Sequence, residues 1–248
     1  MHSADYESYL DCRNGRRRIN FEMGREKRVF SAYEGVGRLS NLYNSMMTAS
    51  TFVGKFALKF FWGFSIEEYF RFLDKILTLI PQDFSGKLLE IPVGTGILTL
   101  PTYKNLKESE IFCVDYSTAM LNAAKNFANK ISLSNVTFLE GDVGKLSFSD
   151  EFFDLILSIN GLHAFPDKKS AHAEIYRVLK PNGIFCGSVY ITGENWRTDI
   201  FVKQFCNRVG VFTPPHENFM TLENLLKKNY RQVDVSKINS FACFKCLK

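Results

Sequence analysis

Leu88-Leu89-Glu90-Ile91-Pro92-Val93-Gly94-Thr95-Gly96-Ile97 is the stretch that decides the fold of this 248-residue chain. An apolar run of strand length ends in an acid and then in two glycines one residue apart. Glycine lets the backbone turn sharply and approach a ligand closely, and a helix that follows offers free N–H groups. Alone, the pattern is weak. Nineteen residues beyond Gly96, Asp115 closes a second apolar run at 111–114, where a carboxylate can bind ribose hydroxyls. Asp142 follows a third run, at 136–139, in Leu139-Glu140-Gly141-Asp142-Val143. Three acid-tipped strand ends on one edge mark the place where open α/β sheets bind ligands.

Outward from this stretch, short apolar runs alternate with helical segments from Pro81 onward. The runs lie at 88–93, 111–114, 136–139, 152–159 and 184–191; the helical segments lie at 98–106, 119–130 and 168–179. Continuous apolar strands separated by helices are what a parallel sheet covered on both faces requires. Ser117 caps one helix, and Lys180-Pro181-Asn182-Gly183 stops another. Runs at 232–235 and 241–247 are too close for a crossover and predict an antiparallel pair at the sheet edge. Upstream, Phe52, Phe56 and Phe60 recur every four residues, and 66–80 repeats the helical theme. The fold class is α/β: a doubly wound, mostly parallel, seven-stranded Rossmann-like sheet with a C-terminal antiparallel hairpin and an N-terminal helical cap. The expected divisions are a polar arm at 1–29, a helical cap or lid at 30–80 and a cofactor-binding domain at 81–248.

Composition narrows the function classes. Charged residues make up 23% and hydrophobic residues 46%, which excludes global disorder. The formal net charge of +5 is spread along the chain, and Arg16-Arg17-Arg18 is too short for a nucleic-acid footprint. No signal segment follows that run, and 52–64 is interrupted by Lys55 and Lys59, so no integral membrane span is expected. A cytoplasmic location follows by elimination. Cys12, Cys113, Cys186, Cys206, Cys243 and Cys246 are expected to be reduced, and the single CxxC has no second pair to complete a zinc site. No metal is expected, and no oligomeric state follows from the pattern.

Four segments together resemble the class I S-adenosylmethionine-dependent methyltransferases, strongly over 84–190. Glu90 to Gly96 is similar to the family's acid-x-Gly-x-Gly-x-Gly, with Pro92 in place of the first glycine. Pro92 supplies no N–H, so one backbone contact of the usual motif is missing. Residues 153–160 resemble the fourth-strand motif, and Glu174 to Gly183 is similar to E-x-x-R-x-L-K-P-G-G. The resemblance implies S-adenosylmethionine as cofactor. It also implies a site formed by Glu90, Gly94, Thr95, Gly96, Asp115, Tyr116, Met120, Asp142, Val143 and Asn160. In it Glu90 acts near the methionine amino end, Gly94 and Gly96 lie under the cofactor and Asp115 binds the ribose. Asp142 and the Val143 N–H meet the adenine.

The expected reaction is methyl transfer by in-line displacement to a small apolar or aromatic acceptor, in which alignment carries most of the rate. His163, after the fourth apolar run, is the candidate catalytic base. His172 is expected at the surface, and His216 in a wall of the acceptor pocket. The aromatics Tyr33, Tyr43, Phe52, Phe56, Phe60, Phe61 and Trp62 are expected to form a lid. Two other readings stay open. The chain could bind the cofactor or an apolar ligand without turnover, or be a nicotinamide oxidoreductase using Tyr176 and Lys180. The partner is expected to be a small molecule and not a nucleic acid, with peripheral membrane contact through 55–62 a further option.

Overall fold

The computed structural model describes residues 24–248. Cys12, Arg16 to Arg18 and most of the expected polar arm lie outside the described residues. From residue 24 the chain is already helical, and this first helix, α1, runs to residue 38. The helical cap therefore takes in residues 24–29, which sequence patterning assigned to the arm. Three more helices complete it: α2 (Ser40–Met47), α3 (Phe52–Phe61) and α4 (Ile66–Leu77). The start of α4 is sharply specified. Ser65 accepts from the Glu68 N–H while the Glu68 side chain accepts from the Ser65 N–H, so two orphan donors are satisfied reciprocally.

Seven strands of the described chain form one sheet: β1 (Gly86–Glu90), β2 (Ser109–Asp115), β3 (Val136–Glu140), β4 (Phe153–Ile159), β5 (Leu179–Tyr190), β6 (Gln232–Ile238) and β7 (Phe241–Leu247). Their order is β3-β2-β1-β4-β5-β7-β6. The first five pair in parallel, while β7 runs antiparallel to both β5 and β6. The chain reverses direction across the sheet between β1 and β4, which opens a crevice at their carboxyl ends.

Strand alternation sorts the core onto two faces. Leu89, Phe153 and Ile156 pack with Ala171, Ile175 and Val178 of α7 (Lys168–Val178) and Leu222 and Leu226 of α10 (Phe219–Asn229). Leu88, Leu155 and Leu157 face the other way, against Leu100 and Tyr103 of α5 (Leu100–Tyr103) and Leu121 and Ala124 of α6 (Thr118–Lys130). The strand leucines Leu88, Leu89, Leu155 and Leu157 are each 0% exposed, which is worth about 1.5–3 kcal/mol per side chain. The same alternation separates the CxxC pair, Cys243 facing the cap cluster and Cys246 the α7 face. Both are free and buried, as are Cys113, Cys186 and Cys206.

Two expected elements differ. The helix at 98–106 shrinks to α5, because Thr102, Asn105 and Leu106 each donate to a carbonyl only three residues back. Lys180-Pro181-Asn182-Gly183, expected as a helix stop alone, lies inside β5. There Leu179 pairs with Phe153 and Ile184 with Leu155, so the intervening residues bulge out and the missing Pro181 N–H costs the ladder nothing.

Candidate functional site

The glycine turn after β1 is the floor of the site. Gly94 (φ +56°) and Gly96 (φ +66°) both sit in the left-handed region that favours glycine. A Cβ on Gly94 would meet nothing within 4 Å, because the space above it is cavity, whereas one on Gly96 would collide with Leu100. The two glycines thus do different work: one opens the turn, the other lets α5 pack close. The Gly94 N–H donates to Asp115 Oδ2 (2.8 Å) and the Ser117 N–H to Oδ1 (2.9 Å). One buried carboxylate therefore ties the loop after β1 to the loop after β2. Burial still outweighs these bonds and pushes Asp115 up to about 6.

Glu90 closes the inner end. Tyr103 OH (2.8 Å) and Thr99 Oγ1 (3.0 Å) both donate to its Oε2, and burial raises the carboxyl to about 8. At the outer end, the exposed Asp142 accepts from the Gly144 N–H (2.8 Å) beside buried Val143. Asn160, at φ +53°, is fixed by its N–H to the Ser188 carbonyl (2.9 Å) and by the Ser188 hydroxyl (3.0 Å). Pro92 lines the site as well, and a Cβ on Gly161 would strike its ring, so these two residues fit as a pair.

A cavity of about 1060 Å³, counting the solvent at its mouth, opens over this floor. All ten residues singled out for the cofactor line it: Glu90, Gly94, Thr95, Gly96, Asp115, Tyr116, Met120, Asp142, Val143 and Asn160. The opposite wall comes from the cap, through Glu26, Val29 and Tyr33 of α1 and Tyr43 and Met47 of α2. Polar bonds hold the cap there. Glu34 Oε1 accepts from the Ser117 hydroxyl (2.8 Å) and the Ala119 N–H (2.9 Å), an acid seated on the N-terminus of α6. Thr95 Oγ1 donates to Asn44 Oδ1 (2.6 Å), and Tyr33 OH donates to the Val211 carbonyl (2.9 Å). Burial raises Tyr43 to about 12 and Tyr33 well above its ordinary value, so both are neutral phenols at neutral pH.

His163 does not join this group. Its ring is 3% exposed, Nδ1 accepts from the Tyr190 N–H (3.1 Å), and Phe212 lies 3.9 Å away, centroid to centroid. Burial holds it neutral, well below the usual imidazole range, and it faces a second crevice between α7 and α10. His216 faces that crevice too and not the cavity, and His172 is half-buried in it, not at the surface. The rival pair fails on position. Tyr176 packs on Tyr230, and Lys180 is ion-paired with Asp154 (2.7 Å) near the start of β4, at the opposite edge of the sheet. In the E-x-x-R segment, Arg177 makes two bonds to Glu174 and others to Asp150, Leu146 and Phe148. That segment pins the connection between β3 and β4, the same connection that carries Asp142 and Val143.

The donor set suits a nucleoside with an amino-acid tail: carboxylates for ribose hydroxyls and an exocyclic amine, an acid for an ammonium, and an open glycine where a ligand approaches backbone. Residues 89–187 match the model of a family described as a methyltransferase domain. Over those residues the chain is similar to the class I methyltransferases, whose cofactor is S-adenosylmethionine, and its fold is that of the class. The chain is 27% identical over 154 residues to 2-methyl-6-phytyl-1,4-hydroquinone methyltransferase 1 of Oryza sativa, covering 61% of this chain and 43% of that protein. It is 38% identical over 96 residues to demethylmenaquinone methyltransferase of Chlamydia caviae, covering 39% and 40%. It therefore spans less than half the length of either relative. In fold it is similar to a SAM-dependent methyltransferase from Thermotoga maritima, with a TM-score of 0.62 at 20% identity over 89% of this chain and 99% of that one. Another solved structure on this fold, at a TM-score of 0.57 and 18% identity over 73% of this chain and 80% of that one, is the [4+2]-cyclase SpnF.

Proposed function

We propose that this chain transfers the methyl group of S-adenosylmethionine to a small, apolar or aromatic acceptor held under the cap. One observation carries the reading: a single cavity joins the ten candidate cofactor residues to a wall from α1 and α2 that is apolar and aromatic apart from Glu26. Bound S-adenosylmethionine supplies a methyl already activated on a sulfonium. What remains for the chain is to bind, orient and exclude water. In this reading Asp115 holds the ribose hydroxyls, Asp142 and the Val143 N–H hold the adenine, and Glu90 faces the methionine amino group. Thr95, Tyr116, Met120 and Asn160 shape the remaining wall.

Val29 and Met47 offer an acceptor apolar contact, and Tyr33 and Tyr43 offer aromatic faces with neutral hydroxyls. Two relatives named for hydroquinone and menaquinone methylation support an aromatic, lipid-soluble acceptor. A cytoplasmic setting without a nucleic-acid partner belongs to the same reading. His163 has no role as a base in it, since its ring is turned away from the cavity. The test is transfer of labelled methyl from S-adenosylmethionine to a panel of hydroquinones, phenols and amines. Transfer to the apolar aromatics, with KM raised in Tyr43→Ala, supports the reading; transfer to none of the panel despite cofactor binding overturns it.

A further inference from the structure

The outer side of the cap carries a surface that the proposed reaction does not use. In α3 only Gly54 and Leu58 are buried, while Phe52 (84%), Phe56 (55%) and Phe60 (59%) stand exposed. A helix on a water-facing surface puts polar residues there; this one puts three phenylalanines. Beside it runs a second exposed apolar segment, formed by α8 (Trp196–Phe201), a π-helical turn at Val202–Cys206 and α9 (Asn207–Val209). Its Trp196 (68%), Ile200 (52%) and Phe205 (54%) are exposed as well. Ring contacts join the two segments without a break: Phe56 to Phe60 (5.4 Å), Phe60 to Phe61 (5.1 Å), Phe61 to Phe201 (4.4 Å) and Phe201 to Phe205 (5.4 Å). A contiguous apolar patch of this kind marks an interaction surface.

Its charge is one-sided. Lys55 and Lys59 on α3, and Arg197, Lys203 and Arg208 on the second segment, are all exposed. The acid within these segments, Asp199, is turned inward, accepting from Tyr190 OH (2.6 Å) and the Gly193 N–H (3.0 Å). Glu68, at the edge of the groove beside Phe56 and Lys59, is spent on the Ser65 cap. Trp62 is turned inward too, against Phe201, Phe212 and Phe241, so it is not part of the patch.

We propose that this face docks on an anionic phospholipid bilayer. Aromatic rings enter the boundary between headgroups and acyl chains, and the cations meet the lipid phosphates and carboxylates around them. A second copy of the chain is the poorer occupant, because a two-fold pairing of this patch would set its cations against themselves. The inference does not depend on the identity of the acceptor. It would, however, place α2, whose Tyr43 and Met47 line the cavity, beside a reservoir of lipid-soluble molecules.

Flotation of the full chain with phosphatidylcholine vesicles, with and without phosphatidylserine, tests it. Three forms are compared: wild type, Phe56→Ser/Phe60→Ser/Phe205→Ser and Lys55→Glu/Lys59→Glu. The expected result is binding to the anionic vesicles roughly tenfold above the neutral ones, weakened by salt and reduced about fivefold or more in each variant. Thermal midpoints should stay unchanged, since every substituted residue is exposed, and the lysine variant keeps the test open should the triple-serine form misfold. No vesicle binding, or equal binding by all three forms, overturns the proposal. So does a dimer in light scattering that the phenylalanine variant abolishes in the absence of vesicle binding.

Discussion

Two walls face each other across one cavity and are made of different materials. The sheet edge meets it with backbone N–H groups, two left-handed glycines and buried carboxylates, each held by neighbours fixed in the strand register. The cap meets it with Val29, Tyr33, Tyr43 and Met47, and is held down by a few side-chain bonds centred on Glu34, Asn44 and Tyr33. The first wall suits a ligand of constant shape and dense polarity, because moving any of its groups would unpair another. The second can change its aromatics one at a time without touching the sheet. On the proposed function, the cofactor is assigned to the first wall and the acceptor to the second.

The widest gap between the walls should come from Gly94→Val. The left-handed backbone costs a branched residue about 1–2 kcal/mol, and its side chain points into the cavity. Calorimetric titration should show S-adenosylhomocysteine affinity falling by roughly a hundredfold or more; retained affinity would mean the cofactor does not lie on the glycine turn.

Glu90→Gln should separate stability from binding. The folded carboxyl titrates near 8, above its unfolded value, so its neutral form favours the fold. That contribution is complete at low pH and is lost as pH rises toward about 8. The ligand-free variant should therefore melt several degrees above wild type at pH 9 and close to it at pH 4, while binding the cofactor more weakly. Equal melting at both pH values would show that Glu90 is not held neutral.

A smaller effect is expected at the latch. Glu34→Ala removes an acid from the N-terminus of α6 and should cost about 0.5–2 kcal/mol. Hydrogen exchange should speed up in α1 but not in β1 or β4; uniform acceleration would mean that the cap and sheet unfold as one unit. Least of all, Phe52→Ser, on the outer side of the cap, should stay within about 0.5 kcal/mol of wild type by denaturant titration. A larger loss would mean that the ring packs in solution.

Sequence pattern revealed the sheet wall far better than the cap. Strands covered on both faces are apolar throughout, so Leu88, Leu155 and Ile184 announce themselves, and acids at strand ends fall on one edge by topology alone. Side-chain direction beyond the strand ends is another matter. His163 follows β4 as a catalytic base would, yet the Tyr190 N–H draws its ring to the far side of the loop. Tyr43 and Phe52 are both cap aromatics, but one is half-buried in the cavity wall and the other stands in solvent. Their fate depends on which helix packs where, and periodicity does not encode that. The Glu34 latch reaches 83 residues along the chain to Ser117, with no local signal at either end.

The most direct test of the central claim is thermal unfolding of wild type and Asp115→Ala with S-adenosylmethionine, S-adenosylhomocysteine and NAD in parallel. A ligand at 100 times its Kd adds about 2.7 kcal/mol, a shift of roughly 5–11 °C for a chain of this size. Wild type should show that shift with the first two ligands and none with NAD, and Asp115→Ala should lose it. A shift with NAD alone, or an undiminished shift with S-adenosylmethionine in Asp115→Ala, would contradict that claim.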